Sequence, residues 1–528
     1  MHPCLQIPEI VERIIASLPQ EPRAWMYDQF PSEDVPVSKC DVLALGLTSK
    51  RFLEPALDMI WHSLLSIKPI LDLLLSPAAT TEYLRSSTFN DAVTLSERIK
   101  NKDKSRYNYY ALRVKAMKLA DFADVPSSLY HILNLCSRHF SLLPNLRFLY
   151  WSRYHLETFY FLPVFTGPRL TTLVLNINIL PDSPSPTFFN LFQTVASLSP
   201  LLSKVHVIDQ SQKEKSGRQT ALILSALPAL KHVEFWCETS WDTWACLATM
   251  RDLQTLHFSP AQLPNNATDA VPLWSALRPA PAASNFASLQ RLTLTAHDTR
   301  GVVHLHSCLA APHFLRELGI GSAACPTRAD LRALVNAVAA SCPSIALFSL
   351  DAVAYESCDA DPRVRVLASE LLAPLLRCQA MEHFRLCTCG IVFDDAFLKA
   401  AAAAWPDLGH LEIQPHLSDR ASPSRDTAST ITLASLLPLA ERCRHLSKLV
   451  VWVAGSAGDV PVQYEKRGRK GAEVLDIDVT YTGQDFQEGH FAKIARYLED
   501  VLPGPTSAAV HPPPQSVEET GHGTDDEA

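Results

Sequence analysis

Four groups of residues are the ones whose types and spacing could do chemistry. Gly319-Ile-Gly321-Ser-Ala-Ala324 fits a relaxed G-x-G-x-x-A pattern, in which glycines let backbone N–H groups approach a pyrophosphate at a helix N-terminus. It follows a predicted strand, but the next helix opens only after Pro326, so a nucleotide site is not expected. Cys387-Thr-Cys389 could offer two thiolates to a metal, yet no second Cys or His pair stands at a zinc-ligand spacing. Alternate strand residues share a face, so two core thiols are the expectation. Trp236, Trp241 and Trp244 would make a binding hot spot if exposed; burial in the core is the favoured reading. Lys466-Arg467-Gly468-Arg469-Lys470 reads as a solvated loop, with nuclear import or an acidic partner as alternatives. There is no G-x-S-x-G elbow, H-E-x-x-H helix or Walker loop. The sequence therefore predicts no enzyme, no cofactor and no metal.

The elements that position these residues follow one returning phrase, apolar-x-x-apolar-x-apolar. It runs from Val114/Met117/Leu119 and Leu146/Leu149/Trp151 through Ile345/Phe348/Leu350 to Val474/Ile477/Val479, thirteen times in all, with starts 23 to 38 residues apart. Its period-2 ending predicts a short strand with one buried face. Six phrases carry Pro two residues before the first apolar position: Pro144, Pro168, Pro200, Pro228, Pro343 and Pro406. With 38 prolines in 528 residues, about one such coincidence is expected by chance, so the repeat is real. Pro at that place is read as ending a helix and delivering the chain extended into a strand.

Helices of two to four turns are predicted between strands. Thr327 with Asp330 resembles a capping box ahead of the stripe Leu331, Leu334, Val335 and Val338. Asp361-Pro362 reads as an N-cap and first helical residue, leading through Val366, Leu367, Leu371 and Leu375. Residues 188–198, 394–405 and 488–502 behave similarly. Strand and helix alternating at this period predict an α/β solenoid, its curved parallel sheet inside and its helices outside. Residues 67–110 read as a helical connection followed by an exposed loop, 260–288 and 418–429 as insertion loops, and 111–503 as the solenoid. Residues 504–528, with five carboxylates and no Lys or Arg, read as a disordered acidic tail.

Composition limits the function classes. Apolar residues make up 47% and charged ones 19%, ordinary for a well-cored globular protein. Net charge is −8, and −3 without the tail carboxylates, which is no electrostatic footprint for nucleic acid. Glu9, Glu12 and Arg13 interrupt any apolar run at the start, and no stretch reaches the roughly eighteen apolar residues that span a bilayer. Thirteen cysteines, odd in number and scattered through apolar contexts, fit reduced thiols. A cytoplasmic or nuclear protein away from membranes is expected.

The first 66 residues read as a small helical module. Ile10, Ile14 and Leu18 recur every four residues behind Pro8; Leu43, Leu47 and Phe52 mark a second apolar face, and Leu53, Leu57, Ile60, Trp61 and Leu64 a third. These residues resemble an F-box, whose pattern runs Leu-Pro-x-Glu-Ile-x-x-x-Ile-x-x-x-Leu and then a Leu-rich helix. Here residues 19–40 stand where that family has a few linking residues, and Thr48 to Arg51 replace its usual Cys-Arg pair. The repeats behind resemble the irregular leucine-rich-repeat regions of many fungal F-box proteins, although the Asn of that repeat falls only at Asn178.

The resemblance implies an adaptor of an SCF-type ubiquitin ligase. Ile7, Pro8, Ile10, Ile14, Leu43 and Leu47 would meet a Skp-type linker, itself joined to a cullin core, and the solenoid would select a protein substrate. Catalysis would belong to the partners. The alternative is a leucine-rich-repeat-like interaction scaffold without a ligase role, its N-terminal helices serving as a cap on the array.

Overall fold

A computed structural model of the chain describes residues 39–74, 104–119, 133, 142–152, 159–176, 186–208, 216–236, 241–258, 286–296, 314–322, 326–352, 366–388, 391–414, 430–453, 475–481, 493–494, 496–498, 500 and 506–511. The chain forms two compact units, Met1–Leu230 and Lys231–Ala528.

The first unit opens with α1 (Lys39–Thr48) and α2 (Lys50–His62), joined at Ser49, whose hydroxyl accepts from the Arg51 N–H at 3.4 Å and caps α2. Then follow β1 (Ser63–Leu64), α3 (Lys68–Leu74), α4 (Ser105–Ala111), β2 (Ala116–Leu119), β3 (Phe148–Ser152) and α5 (Leu162–Phe165). The unit continues with β4 (Thr172–Asn176), α6 (Pro186–Leu198), β5 (Lys204–Ile208) and α7 (Ser216–Ser225). Its strands pair in parallel and in chain order, β1 to β5.

The second unit carries β6 (His232–Trp236), α8 (Trp241–Thr249), β7 (Thr255–Phe258), β8 (Arg291–Ala296), β9 (Glu317–Ser322), α9 (Arg328–Ser341) and β10 (Leu347–Ala352). Next come β11 (Val366–Leu367), α10 (Ala368–Leu371), a 3-10 turn at Ala373–Arg377, β12 (His383–Cys387), β13 (Ile391–Val392), α11 (Asp395–Ala404) and β14 (His410–Gln414). A second 3-10 turn (Leu433–Leu436), α12 (Leu437–Arg442), β15 (Lys448–Val453), β16 (Leu475–Tyr481) and β17 (Thr506–His511) complete it. Ten of these strands form one parallel sheet in chain order, while β11 pairs with β13 apart from it. Each of the thirteen sequence phrases is a strand, so the α/β parallel repeat is as expected.

Proline punctuates by a turn rather than by extension. The N–H of Leu146 bonds the Leu143 carbonyl at 3.1 Å, and the same link joins Leu170 to Gly167, Leu202 to Ser199, Ile345 to Cys342 and Leu408 to Trp405. Pro144, Pro168, Pro200, Pro343 and Pro406 sit second in these four-residue turns, where their fixed φ is already correct. After the turn, one carbonyl receives two successive N–H groups of the next repeat. Arg147 O takes Thr171 and Thr172, Arg316 O takes Ala346 and Leu347, and Gly409 O takes Ser447 and Lys448. Where both occur, turn and double bond together set the same register from repeat to repeat, leaving the intervening helices free to vary in length.

The core lies between strands and helices. Leu149, Leu173 and Val205 are aligned across β3, β4 and β5 at 0% exposure, each such side chain worth about 1.5–3 kcal/mol by burial. Trp151, Trp244 and Trp405 are fully buried; Trp405 lies 5.1 Å from Phe384, and Trp244 stacks on Phe258 at 4.4 Å. The outward-phase residues of β6, β7, β9 and β10 are half-exposed, as the alternation predicts. In the first unit they are not: Tyr150, Val174 and His206 are buried as well.

Five local expectations change. The Asp361-Pro362 pair lies outside the described residues, and of the stripe behind it Val366–Leu367 is extended and paired with Ile391–Val392, the helix opening at Ala368. The cause is Asp394, whose carboxylate takes the Ser369 N–H at 3.2 Å and fixes the helix start there. The expected loop before residue 111 is in part helix α4, because Tyr107 and Ala111 are buried. The buried stripe of α2 is Phe52 and Ala56, with Met59 against Phe52, rather than Leu53 and Leu57. The tail contains β17, whose Thr506–His511 pairs with β16. Proline's role is the turn described above. The loops at 260–285 and 418–429 lie outside the described residues.

Candidate functional site

α1 presents two faces. Val42 and Gly46 are buried, and Leu45 packs against Phe52 of α2. Leu43 and Leu47, one turn apart on the opposite face, are 44% and 72% exposed. Side by side on one face, the two leucines form a small contiguous apolar stripe, and contiguity is what marks a surface as an interaction site. Of the F-box-like residues, Leu43 and Leu47 thus share one solvent-facing stripe. Ile7, Pro8, Ile10 and Ile14 lie outside the described residues.

A second surface is the outward face of the sheet in the second unit. Glu412 on β14 is only 8% exposed in its side chain, yet two cations and a histidine converge on it. Arg385 of β12 lies 3.4 Å away, Lys448 of β15 3.5 Å and His410 3.3 Å. Arg385 also pairs with Asp351 of β10 at 2.9 Å. The hydrogen bond from His410, then the charges of Arg385 and Lys448, hold the Glu412 carboxyl below its ordinary value against the opposing effect of burial. The register produces this network: residues 351, 385, 412 and 448 fall on strands that are successive neighbours. No single stretch of sequence contains it, so sequence reading missed it.

The other chemical candidates resolve into structure. Gly319 and Gly321 lie inside β9, not at a helix N-terminus. A Cβ there would meet Thr293 at 3.2 Å and Thr295 at 3.1 Å, so the glycines make room for a threonine pair on β8. Cys387 is a buried cysteine of β12; Cys389 lies outside the described residues. Trp244 is core, whereas Trp236 is half-buried on the sheet face, donating to Glu234 at 2.8 Å. The side chain of Trp241, residues 466–470 and Asn178 lie outside the described residues. Among the described residues no group of His, Cys, Asp and Glu could hold a metal ion. No helix among them is long and apolar enough to cross a membrane.

No family model matches the chain, and no curated protein matches it. Similar solved structures include the leucine-rich repeat-containing protein LegL7 from Legionella pneumophila. It is 14% identical over 51% of this chain and 91% of its own, with a TM-score of 0.29. A chain of the Toll–Spatzle complex of Drosophila is 11% identical over 72% of this chain and 51% of its own, with a TM-score of 0.32.

Proposed function

We propose that this chain is a non-enzymatic adaptor, a substrate-recognition subunit of an SCF-type ubiquitin ligase that docks to a Skp-type linker through its N-terminal helices and binds a protein substrate through its repeats. The observation that carries the reading is the exposure of Leu43 and Leu47 on one stripe of α1, while the opposite face of that helix is spent on α2. An apolar stripe left in water on an otherwise packed hairpin fits helix-in-groove or face-to-face docking. The contribution to ubiquitin transfer is proximity, with the chemistry done by recruited partners.

One observation favours a second reading, a protein-interaction scaffold without a ligase role. α2 runs straight into β1, which starts the sheet, so the hairpin also serves as a cover for the first strand. Capture of a purified Skp-type adaptor by the full chain separates the two. The wild type is expected to bind and the Leu43→Asp/Leu47→Asp variant to lose binding with an unchanged melting curve. A folded wild type that captures no adaptor overturns the ligase reading and leaves the scaffold.

A further inference from the structure

We infer that Arg113 is a positioning residue that fixes the α1–α2 hairpin, and with it the Leu43/Leu47 stripe, at one angle to the first strands of the sheet. Arg113 stands between α4 and β2, and its side chain is 11% exposed. Its two terminal nitrogens divide their bonds between two acids of α2: Nη2 donates to the Glu54 carboxylate and Nη1 to the Asp58 carboxylate. Nη1 also reaches the Glu54 carbonyl at 3.3 Å. Glu54 and Asp58 are four residues apart and so lie on one face of the helix. A planar fork that spans both fixes the rotation of α2 about its axis as well as its distance. A lysine, which is a point charge, could not do this.

Neighbouring contacts complete the clamp. The Arg113 guanidinium lies 4.4 Å over the Tyr109 ring, and the Tyr109 hydroxyl donates to Glu54 at 2.5 Å. Trp61 packs on Tyr110 at 4.6 Å, and the Lys115 N–H bonds the His62 carbonyl at 2.9 Å where β1 meets β2. α2 is thereby held at its middle and at its end. On the far side, Tyr107 donates its hydroxyl to the Leu142 carbonyl, and Asn145 Nδ2 donates to the Leu112 carbonyl at 2.6 Å. Bonded contacts among the described residues therefore run from α2 to the turn ahead of β3. Glu54 and Asp58 are 56% and 61% exposed, so the pairs add little to stability in water. What the clamp confers is geometry.

The functional meaning rests on the docking reading: an adaptor acting by proximity needs its docking face and its substrate surface at a set separation. The clamp itself can be measured without a partner. Spin labels carried on non-natural amino acids at Lys50 and Leu201, both exposed in the first unit, report the hairpin's orientation in the full chain. The wild type should give one narrow distance distribution, and Arg113→Met one at least twice as broad, with strands β3 to β5 melting as before. Arg113→Lys should fall between them. Acidification through the titration of Glu54, which Tyr109 and then Arg113 hold below its ordinary value, should broaden the wild type and leave Arg113→Met as it was. If Arg113→Met does not fold, Glu54→Gln/Asp58→Asn removes the same ties and should broaden the distribution equally. A distribution as narrow as the wild type in a folded variant overturns the inference. Broadening as expected, in a wild type that captures no adaptor, sinks the docking reading only.

Discussion

Gly46 of α1 faces Ala56 of α2 so closely that a Cβ on Gly46 would lie 2.8 Å from the Cβ of Ala56. This contact sets the hairpin spacing at which Leu45 and Met59 pack on Phe52. Gly46→Ala gains about 1 kcal/mol of helix propensity but forces the helices apart at an overpacking cost of about 1–3 kcal/mol. The net expectation is a looser hairpin. Amide exchange over residues 40–60 should quicken in Gly46→Ala and return to wild-type rates in Gly46→Ala/Ala56→Gly. Slower exchange in the single variant would show that the gap at Gly46 is not limiting.

Adjacent acids in the second unit reach in opposite directions. Asp394 takes the Ser369 N–H at 3.2 Å and its hydroxyl at 2.7 Å; Asp395 takes the Thr432 N–H at 2.7 Å and its hydroxyl at 2.8 Å. One repeat thus caps both the helical segment before it and the one after it. Each substitution to Ala should cost about 2 kcal/mol, since two charge-assisted bonds at a partly buried site are lost. The direction is the sharper test. Asp394→Ala should speed exchange over residues 368–377 and Asp395→Ala over 432–442. Acceleration of one and the same segment by both would contradict the division of labour.

These relationships show where sequence reading stops. Thr327 accepts from the Asp330 N–H at 3.2 Å, as its spacing implied, because a helix cap is settled within four residues. The strands of the thirteen phrases were legible for the same reason: their signal is a local alternation, in many of them preceded by a local turn. The helix start at Ala368 was not, because Asp394, twenty-five residues on from Ser369, decides it. Arg113 likewise meets acids 59 and 55 residues away, and Glu412 gathers partners from both neighbouring strands. Burial of Tyr150, Val174 and His206 on the outward face had a weak sign, the apolar Tyr150 and Val174 at positions expected to be polar.

Glu412 should make the second unit sensitive to acid. Its folded-state pKa is depressed, by the His410 hydrogen bond first and then by Arg385 and Lys448. Its contribution is therefore complete above the unfolded carboxylate value, about 4.3, and is lost as pH falls through the lower folded value. Denaturant midpoints of the wild type should be flat above about pH 6 and fall below about pH 4. Glu412→Gln should be less stable than the wild type at neutral pH and should show a shallower acid slope. Equal slopes would mean that other carboxylates carry the acid response.

The buried thiols should be chemically silent until the repeats open. Burial pushes Cys342 up to about 12, helped by the neighbouring Cys378, and pushes Cys378 up to about 11. Cys378 points its Sγ at the Cys342 carbonyl, 3.7 Å away, and Cys443 does the same toward Trp405 at 3.5 Å. Each sits at the end of a helical segment, at the start of the turn that leads into the next strand, so a probe can reach it only if the turn unfolds. Cys40 on α1 is exposed. The thiolate is the species that reacts, so with iodoacetamide at pH 8, mass mapping should find Cys40 modified at least ~1,000-fold faster than Cys342 or Cys378. Denaturant should abolish the difference. Labelling of Cys378 in step with Cys40 in native protein would mean that the 373–381 segment opens far more readily than its buried contacts allow.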